Sequence, residues 1–552
     1  MNEQKNLLLA IVASLIILLI FQYLFPTERK IVNDNNSKTL ENQKVEQNIP
    51  VLKREEIINN TDRISFSLKS RLIGSIPLKG LRFDDIILND YKETILSDSE
   101  KVKLLSPNKT NNPYFIELGW MSQENVYLPQ KDSVWELIEG KELGPESPVT
   151  LKWSSPDGLE FIRKISLDEN FLFNIEQRVI NKSEKKYNLT QYGRINRSGT
   201  PKTSGFYILH EGPIAVLNDR LIEIDYDDLI EDGPSSNISK GGWIGITDKY
   251  WLTALIPNQK FNIEAGFKAT LNKTERYQVQ YTSAQIELEP GDETLIISNV
   301  FVGAKEVDLL DKYSKILNLN MFDRAVDFGW FYIITKPLFL ILHKFSSIFG
   351  NVGLSILALT VLIRIFLFPL ANKSFKSMSK MKILTPKMTE IRERYKNDKL
   401  KMQQEIMALY KAEKVNPLSG CLPILIQIPI FFALYKVLFV TLETRHAPFY
   451  GWVKDLSAPD PTTIFNLFGI LNFSPPSFLM IGAWPLLMAL TMYLQQKLNP
   501  APPDPLQAKI MSFLPLMFLF LFATFPAGLV IYWTWNNVLS IGQQWIIMKK
   551  TK

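Results

Sequence analysis

In the stretch TVLIRIFLFP, residues 360–369, nine of ten side chains suit a lipid bilayer or a protein core; the fifth is Arg364. A guanidinium is not neutralised under ordinary conditions in a protein, and an arginine at the centre of a spanning helix costs about 2.5–3.5 kcal/mol. Arg364 lies roughly seven residues, or about 10 Å, from the inner end of its apolar run. Snorkelling toward the headgroups therefore covers only part of the distance. None of the other apolar runs contains an acidic residue to pair with it. A membrane charge of this kind faces water or a polar cavity. Its chemistry is electrostatic attraction, for carboxylates or for carbonyl dipoles.

Covalent and metal chemistry have little to work with. The chain has one cysteine, Cys421, and three scattered histidines, His210, His343 and His446. No Cys/His cluster has metal-ligand spacing, and no G-x-x-x-x-G-K-[ST] stretch offers a nucleotide cradle. Neither a metal nor a cofactor is expected.

Polar or bulky residues recur in the runs that would surround Arg364. Thr360 sits one turn above it on the same helical face. The run CLPILIQIPIFFALYKV places Gln427 between Pro423 and Pro429, and such prolines free carbonyls that need partners or water. FPAGLVIYWTW opens with Pro526 and Gly528, read as a tight turn, and adds Tyr532 and Trp533, bulky with polar handles. Five charge-poor spans around one arginine suggest a hydrophilic pocket open to the cytoplasm.

Charge sets the orientation. Candidate spans are 7–25, 351–370, 421–440, 477–496, 510–525 and 527–547, each near the roughly 20 residues a spanning helix needs. The segment 371–418 holds twelve Lys and Arg against five Asp and Glu, which places it in the cytoplasm. The terminal MKKTK then falls on the same side four spans later. Counting back, residues 26–320 lie outside and the N-terminus inside, with 1–25 a retained anchor because no small-x-small cleavage pattern follows it. Residues 328–349 are interrupted by Lys336, Pro337, His343 and Lys344; an amphipathic helix in the outer interface fits, within a segment 321–350.

Between 60 and 300, period-two alternation recurs: Ile64, Phe66 and Leu68; Phe171, Phe173, Ile175 and Val179; Tyr277, Val279 and Tyr281. With turn signals such as SPDG between them, these runs predict an all-β antiparallel sandwich over 56–320. Residues 26–55, rich in Asn, Lys, Glu and Gln, read as a linker. Trp120, Trp153 and Trp251 suit core or edge packing better than a sugar-binding platform.

Within 371–418, Met381, Leu384, Met388, Ile391 and Tyr395 are spaced three, four, three and four, one stripe of a helix. KNDK breaks it, and Asp398 can cap a second helix bearing Met402, Ile406 and Leu409. The two make an antiparallel hairpin with basic outer faces, suited either to anionic phospholipids or to an acidic partner such as ribosomal RNA or a nascent chain.

At these residues the chain resembles the YidC/Oxa/Alb family of membrane insertases in its Gram-negative form. DFGWFYIITKPLFLILH, LTVLIRIFLFPL, MKILTPKMTEIRERY, QEIMALYKAEKVNPLSGCLPILIQIPIF, APFYGWVKDLSAPDP and FPAGLVIYW carry the resemblance, in order, over about 321–548. It implies a polytopic α-helical membrane protein with six transmembrane helices and a large periplasmic β-supersandwich. A five-helix insertase core, 351–548, would be followed by a short basic tail, 549–552. The groove arginine corresponds to Arg364, and substrate-path positions carry over to Thr360, Gln427, Phe431, Phe525 and Trp533. Thr524 stands where relatives often have an aromatic. The implied function is insertion and folding of inner-membrane proteins, alone or with the Sec translocon and its accessory subunits, served by the ribosome. A secondary transporter would show paired intramembrane acids or inverted repeats, and neither is visible. A tethered periplasmic scaffold would leave Arg364 and the hairpin without a task.

Overall fold

The computed structural model describes residues 51–203, 209–271, 274–329, 331–413, 422–471, 473, 475–476, 480–499 and 505–551. The apolar run 7–25, most of the linker, Cys421 and the side chain of Pro423 lie outside the described residues.

Alternating sequence becomes antiparallel sheet. Nine strands, from Arg220–Glu223 at one edge through Glu293–Ala304 and Leu159–Leu167 to Glu136–Glu139 at the other, form the largest sheet. A six-stranded sheet is built around Tyr187–Ser198, which pairs with Tyr114–Met121, Glu275–Ser283 and Ile286–Leu288. A four-stranded sheet, Arg63–Ser65 to Lys101–Leu105, completes the domain. The inward residues of each alternating run share one core: Phe171, Phe173, Ile175, Val179, Tyr277, Val279 and Tyr281 are all buried. Leu68 is not. It falls in a turn after the strand and is fully exposed, so the alternation that includes Ile64 and Phe66 stops one step earlier than expected. Trp120 is buried, while Trp153 packs on Phe161 and Trp251 on Tyr91, with no platform between them. The linker also ends earlier, because helix α1 (Arg54–Asn59) is anchored by an ion pair from Arg54 to Asp85.

Helices α2 (Tyr226–Asp232) and α3 (Val307–Ile316) belong to the β domain. The rest of the chain is helical: α4 (Tyr332–Phe349), α5 (Val352–Arg394), α6 (Lys399–Ala412), α7 (Leu422–Val440), α8 (Ala483–Leu498), α9 (Pro505–Phe522) and α10 (Ala527–Thr551). Among the described residues, α4 and α5 each hold an 18-residue window long and apolar enough to cross a membrane; Gln427–Val440 and Ala508–Phe522 are shorter apolar stretches. Gly350, in the left-handed region at φ 62°, turns the chain from α4, and Asn351 caps α5 by accepting from Leu354 N at 3.0 Å. No break separates the span expected at 351–370 from the hairpin that follows it. α5 runs 43 residues through Pro369 and Pro386, about 65 Å at 1.5 Å per residue, so span and hairpin share one rod. A proline removes one ladder bond, and the flanking turns of so long a helix carry it.

Loop contacts give the directions of the helices. Asn351 Nδ2 donates to Pro448 O, Trp484 N to Asp460 Oδ2, and Ala527 N to Ala458 O. The starts of α5, α8 and α10 therefore gather on the loop that follows α7. Arg445 of that loop donates to Lys92 O of the β domain. At the far end, Lys382 Nζ reaches Leu498 O. Gly528 lies inside the first turn of α10 rather than in a tight turn. The turn is made by 523–525, and loop carbonyls of Leu456 and Ala458 accept the amides that a helix start leaves over.

Candidate functional site

Parallel helices α5 and α10 set Arg364 against a polar face of α10. Arg364 Nε donates to Asn536 Oδ1 at 3.0 Å, and Nη2 to Asn536 Oδ1 at 2.7 Å and to Asn536 O at 3.1 Å. Nη2 also donates to Ser540 Oγ. Asn536 and Ser540 are four apart, hence stacked on one face. The partners of the guanidinium are thus an amide, a carbonyl and a hydroxyl; among the described residues no carboxylate makes an ion pair with it. Hydrogen bonds of this kind satisfy its donors without cancelling its charge. The polar line continues across α7, since Tyr532 is near enough to interact electrostatically with Arg364 and accepts from Gln427 Nε2 at 2.9 Å. Deeper along α10, Asn537 donates to Thr491 Oγ1 and Gln544 to Asn499 Oδ1.

Beside this line stands an aromatic wall. Phe431 meets Trp533 at 4.6 Å between ring centroids, Trp533 meets Phe522 at 5.1 Å, and Phe522 meets Phe525 at 4.9 Å. Tyr435 and Phe518 extend it. Of the expected residues, Arg364, Gln427 and Tyr532 are brought together on the polar side and Phe431, Phe525 and Trp533 on the aromatic side. Thr360 joins neither as a donor. It is buried, and its hydroxyl is spent on Ile356 O at 2.6 Å within its own helix. Sequence reasoning missed Asn536, Ser540 and Phe522. The i, i+4 polar pair in WTWNNVLSIGQQW was the available signal.

The hairpin packs along its apolar stripe. Leu384 and Met388 are buried and Met381, Ile391 and Tyr395 half-buried, facing half-buried Met402, Ile406 and Leu409. Asp398 Oδ1 accepts from Lys401 N at 3.1 Å, the cap expected of it. Tyr410, overlooked in the sequence, is buried and donates to Met388 Sδ at 3.4 Å, and Lys387 pairs with Glu413 at 3.0 Å.

Ion pairs tie the helices to the β domain. Lys336 of α4 binds Asp311 and Asp323, and Lys436 binds Asp327 at 2.6 Å. His343 lies 3.4 Å from Asp308 and 3.8 Å from Glu443. Burial, with Asp308 and Glu306 nearby, pushes the Glu443 carboxyl up to about 7. Burial also pulls Lys249, seated 3.7 Å from the centre of the Phe439 ring, down to about 8.

Known proteins match along the whole chain. The family model for the YidC periplasmic domain matches residues 68–341, and that for the 60Kd inner membrane protein matches 344–552. The membrane protein insertase YidC of Rickettsia felis is 52% identical, with 99% of each chain covered, and that of Rickettsia prowazekii is 50% identical over the same shares. A solved structure described as an active YidC insertase with its first transmembrane domain resolved is 16% identical. It covers 88% of this chain and 95% of its own, at a TM-score of 0.36.

Proposed function

The chain belongs to the YidC family of membrane protein insertases, and on that footing we propose that Arg364 receives the polar segment of each nascent membrane protein it inserts. The observation that carries this reading is the set of neutral partners, Asn536 and Ser540, on a cation inside an apolar helix. An arginine already paired with a carboxylate would have little attraction left. Here an acidic side chain or carbonyl of the substrate competes with an amide and a hydroxyl, and wins on charge. The polar segment then has only part of the bilayer left to cross. The substrate's apolar helix passes along Phe431, Trp533 and Phe525 into lipid.

No nucleotide need drive the step. Twenty Leu-like residues at about −0.3 to −0.6 kcal/mol each sum to roughly −6 to −12 kcal/mol. The membrane potential adds about 2.3 kcal/mol per 100 mV for each negative charge moved outward. No covalent bond forms or breaks, so the process is not enzymatic.

The protein resides in the bacterial inner membrane with its β domain in the periplasm. Six spans, with both termini in the cytoplasm, fit the charge pattern together with the common outer end of α5, α8 and α10. Contacts from α4 to Asp311, Asp323 and Asp308 along its length, and its junction with the outer end of α5, support a helix lying in the outer interface. The basic hairpin would meet the ribosome, nascent chain or anionic phospholipid, and the Sec translocon with its accessory subunits would share the larger substrates. Depleting the protein and following small membrane proteins with short translocated tails tests the function: such tails should stay in the cytoplasm, and purified protein in liposomes should restore their crossing. Normal insertion after depletion would defeat the reading.

A further inference from the structure

Between the two large sheets lies a second cation, which insertion does not use. Arg163 stands in the strand Leu159–Leu167, in phase with core residues Phe161 and Ile165, and is 2% exposed. Its Nη2 donates to Leu118 O of the opposing sheet at 2.9 Å and to Gln177 Oε1 of the adjacent strand at 3.0 Å. Trp135 covers it, 5.0 Å from ring centre to guanidinium. Among the described residues no carboxylate makes an ion pair with it, although a buried charge without a counter-charge is strongly unfavourable.

The surroundings are rich in unused donors. Arg163 Nε and Nη1 and Gln177 Nε2 are buried without a hydrogen-bond partner, and the neighbouring hydroxyls of Tyr281 and Ser298 reach no group but each other. Because a guanidinium only donates, its bond to Gln177 Oε1 fixes that amide with Nε2 as a free donor. The Tyr281 ring lies over Gly193, where any Cβ would meet it at 2.4 Å and the Leu118 side chain at 3.1 Å, so the ring packs beside the residue whose carbonyl Arg163 binds. Burial pulls Arg163 down to about 10, which leaves it charged at neutral pH. Burial pushes Tyr281 up to about 12, against the opposing effects of Ser298 and Arg163 beside it, so the phenol keeps its proton and can donate.

We propose that this chamber binds one small monovalent anion, chloride in the cell, through Arg163 Nε and Nη1, Gln177 Nε2 and the hydroxyls of Tyr281 and Ser298. One cation calls for one negative charge. Arg163, Gln177, Tyr281 and Ser298 are each no more than 2% exposed, with Leu118 and Trp135 buried beside them, which disfavours phosphate-sized or carboxylate-bearing ligands. A water would find acceptors only in the two hydroxyls, and it would leave the buried cation without a counter-charge. The anion neutralises Arg163 and joins strands of opposite sheets, which stabilises the β domain without touching the insertion path.

The test uses the full-length protein in detergent. Crystals grown in bromide should give an anomalous peak beside Arg163, and density without anomalous signal there overturns the proposal. Tryptophan fluorescence should show the β domain melting several degrees higher in chloride than in gluconate at equal ionic strength. Gln177→Leu, which keeps the cation, should raise the chloride needed for half the effect about tenfold, the consequence of losing one charge-assisted hydrogen bond. Arg163→Met should remove the chloride dependence. Equal midpoints in both salts for the unsubstituted protein overturn the proposal even if neither variant folds.

Discussion

At the scale of residues, the decisive fact is the company Arg364 keeps. An arginine on a membrane helix was legible from one line of sequence, and so was the lack of an acid to pair with it. Its actual partners were not, because Asn536 and Ser540 are more than 170 positions away and only helix packing brings them near. Arg364→Ala should lower insertion of acidic-tailed substrates by roughly 10- to 100-fold, the worth of a hydrogen bond to a charged group of about 1.5–3 kcal/mol. Arg364→Lys should retain much of the activity, because charge rather than fork geometry is what attracts the tail. Asn536→Leu separates holding the cation from supplying it: the arginine stays but loses its main acceptor, and substrates without acidic tails should suffer as much as those with them. Pulse-labelled insertion assays measure all three.

At the scale of elements, caps and ion pairs decide what holds. Asp398 caps α6, and Asp398→Ala should cost about 1 kcal/mol locally, read as roughly fivefold faster hydrogen exchange at the amides of α6's first turn. At the outer end, Glu443 sits where α3, α4 and the loop after α7 converge, facing His343, Asp308 and Glu306. An acid raised from 4.5 to about 7 on folding binds its proton more tightly in the native state than in the unfolded one. Native stability is therefore favoured below pH 4.5 and falls as pH rises through 7. The melting midpoint should drop between pH 5 and pH 8 by more in the unsubstituted protein than in Glu443→Gln, which lacks that carboxyl. The hairpin's stripe and its cap were legible because both are local. Its continuity with the preceding span was not, because prolines and charge change suggest a break that the long helix overrides.

At the scale of the whole molecule, direction matters most. Both the lysine-rich segment and the gathering of helix starts near the β domain predict that Lys396 and Glu231 face opposite sides of the membrane. With Cys421 replaced by serine, Lys396→Cys should react with an impermeant maleimide in inverted vesicles only, and Glu231→Cys in spheroplasts only. Labelling of both from one side would overturn the topology. The β domain's sandwich was evident from alternation, yet its sheet order was not, since the pairing of Tyr187–Ser198 with Tyr114–Met121 spans scores of residues.

By itself, then, the sequence determined what depends on near neighbours and on transfer from water: which runs are apolar enough for lipid, which alternate as strands, which segment carries the excess of positive charge, and that Arg364 has no acid beside it in those runs. Only the tertiary structure decided which neutral groups hold Arg364, that the Thr360 hydroxyl is spent within its own helix, that Phe522 completes the aromatic wall, and that Arg163 lies buried beside unpaired donors. Those facts depend on side chains meeting across large separations. Hydrophobic patterning selects the face a residue takes, whereas packing selects the partner it finds there.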